Sequence, residues 1–202
     1  MSTWDYSIFE EKLGKKIEFG LTLGLSFSGK SEISNMLKTN LDFTVIDMKE
    51  IQTQIKSTKL NEEGEPDPEA EVPIGEIEAA VTKIIHGPST KKRVKYIFDG
   101  FIHEKQEDFI TFTEKFGVPT FILKCNADVE TLKKRFCTKN EAETYPEDDL
   151  EKLKASVDAD AKVVENIESK FEDVLDRIEI IEIDTDKSIE TTTKLIVQKF
   201  SP

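Results

Sequence analysis

The sequence predicts an α/β domain in which a five-stranded parallel sheet carries helices on both faces. Three observations predict it. Five short apolar runs alternate with segments whose apolar residues recur at helical spacing, a pattern that implies right-handed crossovers and parallel strands. The first run leads directly into LGLSFSGKSEI, where Gly24, four residues, Gly29, Lys30 and Ser31 spell G-x-x-x-x-G-K-[ST]. The third run ends at Asp99-Gly100. That carboxylate and the glycine loop then meet at the carboxyl ends of the strands, where open parallel sheets take their ligands.

The elements run in order along the chain. Residues 17–23, IEFGLTL, read as a buried strand, and 31–39 place Ile33, Met36 and Leu37 on one face of a helix whose free N–H groups point at the glycine loop. FTVI, 43–46, is the second strand, and 47–59 reads as helix. Residues 61–71, NEEGEPDPEAE, are an acidic, proline-broken loop that no core could absorb. Ile77, Ala80, Val81, Ile84 and Ile85 form a helical stripe that stops at Gly87-Pro88, before the third strand at 93–98. Phe109, Phe112 and Phe116 share a face of a helix over 104–116, with Gly117 as its stop. The fourth strand is 120–124. Asp128 is a natural cap for the helix bearing Val129, Leu132 and Phe136, and Asp148 one for a long helix carrying Leu150, Leu153, Val157, Ala161, Val164 and Phe171. IEIIEI, 178–183, is the fifth strand, and a helix over 188–200 closes the series.

The bulk numbers narrow the function classes. At 202 residues with 37% apolar content, the chain suits one globular domain. A formal net charge of −13 repels nucleic-acid backbones and anionic lipid surfaces, so neither is an expected partner. Two cysteines, Cys125 and Cys137, are too few for a disulfide scaffold or a zinc site, and read as thiols in a reducing compartment. Without a signal-peptide pattern or an apolar run of about 18 residues, the expected localisation is cytoplasmic. One count constrains the chemistry further. Of 28 basic residues only Arg93, Arg135 and Arg177 are arginine.

The loop has a concrete mechanism. Gly24 and Gly29 let the backbone curl around Ser26 and Ser28 so that successive N–H groups converge on phosphate oxygens; Lys30 adds positive charge and Ser31 can ligate Mg²⁺. Asp99 either holds the water shell of that magnesium or caps a turn before Gly100. The expected ligand is therefore a nucleotide, ATP or a relative, with Mg²⁺ held by Ser31 and, through water, Asp99. Lys30 and Asp99 are the candidate catalytic residues.

GLSFSGKS, VPIGEIEAAVTKII, YIFDGF, FILKCNADVETLKKRF and the closing EIIEID, taken together and in this order, make the chain resemble an adenylate kinase or related nucleoside monophosphate kinase from about Ile17 to Phe200. The resemblance implies a three-layer phosphate-loop (P-loop) NTPase fold over 17–202, after an extension at 1–16. It implies an acceptor-binding arm at 47–87, carrying the acidic insert 61–71, and a short lid-like segment at 137–147. It also implies that Arg135 lies against the adenine of ATP, where the alternative is an exposed helix charge, and that Lys139 belongs to the nucleotide site.

The family's phosphate-clamping arginines are missing at several places. In the D-G-[FY]-P-R segment this chain has Asp99, Gly100, Phe101, Ile102 and His103; after the second strand Lys49 is the only cation in DMKEIQTQ; and the lid-like segment with the residues just beyond it offers only Lys139, Lys152 and Lys154, with Glu141 and Glu143 among them. Lysine keeps the charge but loses the planar fork. One such arginine contributes about 10³–10⁵ in rate. The expectation is a degenerate adenylate-kinase-like domain that binds nucleotide, is weak or inactive as an enzyme, and serves as a structural or regulatory module, possible protein partners included. Similar degenerate domains occur in assemblies of cilia and flagella, which extends the expected localisation to the cilium or axoneme by analogy alone. The rival expectation is an active kinase transferring the γ-phosphate of ATP to AMP or another nucleoside monophosphate. The aromatic N-terminal segment, with Trp4, Tyr6, Ile8, Phe9 and Leu13, either docks elsewhere or packs on its own domain.

Overall fold

The computed structural model of the chain describes residues 16–61, 63–67, 69–87, 93–100, 115–117, 119–141 and 178–200. β1 (Lys16–Gly24) is the middle strand of a five-stranded sheet ordered β2-β3-β1-β4-β5. Its companions are β2 (Phe43–Asp47), β3 (Arg93–Asp99), β4 (Phe121–Asn126) and β5 (Glu179–Asp184), and every pairing is parallel. The α/β architecture expected from the alternating pattern is therefore present. Each expected strand is found within two residues of its predicted bounds.

The helices are α1 (Lys30–Leu41), α2 (Met48–Ser57), α3 (Ile74–Ile85), α4 (Val129–Asn140) and α5 (Ile189–Phe200). Of these, α1, α2, α3 and α5 divide between two cores because strand side chains alternate. On one face Phe19, Leu21 and Leu23 of β1 join Val94, Tyr96 and Phe98 of β3 and meet Ile51 of α2 and Ile77, Val81 and Ile85 of α3. On the other, Ile97, Phe121, Leu123, Cys125 and Ile183 meet Ile33, Met36 and Leu37 of α1 and Ile196 of α5. Here β1 offers Gly20, and a Cβ at that position would stand 2.2 Å from the Phe121 ring. The missing side chain lets Phe121 lie across the central strand, where it meets Phe43 at 5.8 Å and Phe200 at 4.7 Å between centroids.

Two aspartates mark helix starts. Asp128 caps α4 as expected, its carboxylate accepting the Thr131 N–H at 2.6 Å. Asp47, expected inside the second helix, instead closes β2 and caps α2, accepting the Glu50 N–H at 2.9 Å. A short polar side chain satisfies an orphan N–H better from outside the first turn than from within it. The described residues of the acidic insert are irregular apart from one bridge between Leu60 and Pro66. Among the described residues no helix is long and apolar enough to cross a membrane. The expectations for residues 1–15, for 104–114 of the phenylalanine helix, for the lid-like segment beyond Glu141, for the long helix after Asp148, and for Ile102, His103, Lys152, Lys154 and Arg177 lie outside the described residues.

Candidate functional site

The carboxyl ends of β1, β3 and β4 hold the site. Gly24 ends β1 beside Cys125 of β4, and Thr22 stands level with Asp99 of β3. The chain then turns through Leu25, Ser26, Phe27 and Ser28, with Ser28 N–H donating to Leu25 O at 3.0 Å, and enters α1 at Gly29. Both predicted glycines are needed for their backbone. Gly24 has φ 143° and Gly29 φ 89°, and a Cβ on Gly24 would stand 2.4 Å from the Cys125 carbonyl oxygen. Gly29 takes the capping position of α1 without a side chain to cap it, so the helix's first N–H groups face the loop with no side-chain acceptor from the cap.

Lys30 folds back over the loop. Its ammonium donates to Gly24 O, and to Leu25 O at 2.7 Å, so its charge sits over the loop's opening turn. Ser26 is exposed at the rim. Ser28 is 1% exposed, and its hydroxyl oxygen is buried without a hydrogen-bond partner. Such an orphaned hydroxyl is costly, and an anion held by the loop would supply the missing acceptor.

Asp99 is 5% exposed, at the end of β3. Burial pushes its carboxyl above the ordinary aspartate range, and the charge of Asp47 adds to this; hydrogen bonds from Ser31 and Thr22 and the charge of Lys30 pull the other way. The Thr22 hydroxyl lies 3.2 Å from Phe98 O and 3.3 Å from Asp99 Oδ1. The structure thus brings together Gly24, Ser28, Gly29, Lys30, Ser31 and Asp99. Residues that the sequence did not assign to the site include Thr22, Asp47 and Cys125. Asp47 was read as part of the following helix; it ends β2 instead and stands level with Asp99 in the β2–β3 pairing.

The donor set suits a hard cation. Ser31 and Asp99 supply oxygen, as Mg²⁺ prefers, and Mg²⁺ takes its remaining ligands from water and phosphate. Among the described residues no three or more His, Cys, Asp or Glu side chains converge on one point, so a protein-only metal cage is not on offer there. Cys125, 2% exposed beneath Gly24, has its thiol pushed up to about 12, chiefly by burial. Such a thiol is inert near neutral pH.

Arg135 and Lys139 reach the site from α4. The Arg135 guanidinium is fully engaged by protein on one edge: Nη1 donates to Phe27 O at 3.2 Å and Nη2 to Thr185 O at 2.5 Å. It stands 3.6 Å from where a Cβ of Gly29 would be, beside a cleft of about 40 Å³. Lys139 lies over the Phe27 ring, 5.8 Å from its centroid. Arg93 begins β3, six residues before Asp99, hence about 20 Å away along the strand. Neither a scan against protein-family models nor a search of curated proteins matches the chain.

Proposed function

We propose that the chain is a divergent adenylate-kinase-like domain that binds ATP or a related nucleotide with Mg²⁺ and transfers phosphoryl groups weakly or not at all, serving as a structural or regulatory module. The observation that carries this reading is one-sided equipment. The loop, Lys30, Ser31 and Asp99 share one end of the sheet, while among the described residues the charge that phosphoryl transfer needs is sparse. In the arm read as acceptor-binding, Lys49 is exposed and Lys59 is paired with Glu76 at 2.9 Å. Arg93 is remote from Asp99, and Arg135 is held by backbone oxygens.

Each residue has a task in this reading. Loop N–H groups and the first turn of α1 bind the terminal phosphates. Lys30 leaves the carbonyls of Gly24 and Leu25 for phosphate oxygens. Ser31 and Asp99 hold Mg²⁺, directly and through water. The cation's contribution is to neutralise phosphate charge. With no arginine clamp among the described residues to stabilise the charge of the transferring group, binding is retained and turnover is lost. A cytoplasmic or ciliary assembly as the setting rests on the family resemblance alone.

Two measurements test this. At 100 times its dissociation constant, Mg-ATP stabilises a protein that binds it by about 2.7 kcal/mol. Wild type is expected to show a melting shift of that kind, and Lys30→Ala to lose most of it. No shift in wild type rejects the reading. Coupled assays with ATP against AMP, UMP, CMP and dAMP are expected to show turnover far below the ~1–100 s⁻¹ of ordinary kinases. Turnover in that range would replace the module with a working kinase.

A further inference from the structure

Phe27 is in the left-handed region at φ 68°, although it is not glycine. A bulky residue there is strained and persists only where its surroundings impose it. Beyond the loop's own turn, three contacts on Phe27 come from one helix. Arg135 donates to the Phe27 carbonyl at 3.2 Å, the Phe136 ring meets the Phe27 ring edge to face at 5.3 Å, and Lys139 lies over the same ring at 5.8 Å. Arg135 is itself tied to the end of β5 through Thr185 O at 2.5 Å and Thr185 Oγ1 at 3.4 Å. Thr185 is fixed in turn, its N–H and its hydroxyl each 2.8 Å from Asn126 O.

We infer that α4 is the strap that sets the shape of the glycine loop: Arg135, Phe136 and Lys139 hold Phe27 left-handed, and so hold the loop in its anion-binding form. Arg135 is then a positioning residue for the loop. Its link to the nucleotide rests on the binding reading proposed above. Two left-handed residues, Phe27 and Gly29, flank Ser28. If Phe27 relaxes to an ordinary backbone conformation, the N–H groups on either side of Ser28 swing away from a common point. Docking of α4 and anion binding are therefore linked, and each strengthens the other.

A double-mutant cycle in the full chain tests the strap, because glycine at 27 removes the need for it. In Mg-ATP titrations Arg135→Gln is expected to weaken binding about tenfold in wild type and less than about twofold in a Phe27→Gly background. Phe27→Ala keeps the left-handed cost without the ring and is expected to bind about tenfold more weakly than Phe27→Gly. Equal losses from Arg135→Gln in both backgrounds would mean that the guanidinium acts on the nucleotide itself, and would overturn the strap. Phe27→Gly binding as weakly as Phe27→Ala would also overturn it. Should wild type bind no Mg-ATP, the proposed function fails on its own, and amide exchange decides the strap without ligand. The peptide spanning 25–30 is expected to exchange at least about tenfold faster in Arg135→Gln than in wild type, with β1 and β4 unchanged. No acceleration would reject the strap.

Discussion

Two irregular, glycine-bearing segments of this chain obey opposite rules. The loop from Gly24 to Gly29 is held by everything around it: Cys125 beneath, Lys30 folded over it, Arg135 across it. The described residues of the acidic segment from Asn61 to Glu71 are held largely by local turns. The side chain of Asn61 accepts the Glu63 and Glu65 N–H groups at 3.0 and 2.9 Å, and Asp67 accepts that of Glu69 at 2.9 Å. Gly64 is left-handed at φ 82°, yet a Cβ there would meet nothing within 4 Å, whereas one on Gly24 meets a backbone oxygen at 2.4 Å. The same letter thus marks a buried constraint in one place and a local turn in the other. Only the first can transmit a change elsewhere.

The widest expected contrast is chemical. Near pH 8 a thiol pushed up to about 12 is ionised roughly a thousandfold less than an ordinary one, and Cys125 is shielded as well. In native protein iodoacetamide is expected to label Cys137 and spare Cys125, counted by intact mass, with both labelled in denaturant. Native labelling of Cys125 would mean that the loop above it opens. Gly24→Ala comes next. Overpacking against Cys125 and a strained φ together should cost about 2–5 kcal/mol in urea unfolding. Gly24→Ala near wild type would show the loop to be as self-contained as the acidic one.

Asp99→Asn sharpens the same boundary through pH. A carboxyl raised by burial binds its proton more tightly folded than unfolded, so its contribution to stability is full below the ordinary aspartate value and is lost as pH rises through the raised one. The melting-temperature advantage of Asp99→Asn over wild type should therefore grow from about pH 4 towards neutrality and then level off. A gap that shrinks over that range would contradict the burial argument. The smallest effect belongs to Gly64→Ala. Its left-handed cost, partly offset by a less flexible unfolded chain, leaves about 1 kcal/mol or less, with Mg-ATP binding unchanged.

The sheet was legible because each strand is a short, largely apolar run, and the order of runs and helical stripes leaves little freedom of connection. The loop was legible because glycine, lysine and serine at fixed spacing carry their own geometry. Asp99 could be placed from its strand end. Asp47 could not be, since DMKEIQTQ looks helical throughout, and only the β2–β3 register puts its carboxylate beside Asp99. Thr22 and Cys125 read as ordinary strand residues until strand order makes them neighbours of the loop. Phe27 was hidden for a different reason. Nothing in FSGKS announces a phenylalanine with positive φ, because the contacts that impose it come from α4, about a hundred residues later.

The phenylalanine ring that crosses Gly20 has a consequence for the order in which the chain folds. Phe43, Phe121 and Phe200 meet on that face, each roughly eighty residues from the next in the chain. Contacts of such separation close late, since the loop-closure entropy must be met before they return anything. On a ribosome the α1 side of the sheet cannot be sealed until the residues around Phe200 have emerged. Until then Phe43 and Phe121 stand open above a strand with no side chain at position 20 to cover them. The vulnerable period of this domain is therefore the time before the residues around Phe200 emerge, when a nascent chain with its glycine loop already made still lacks the ring that closes the opposite core.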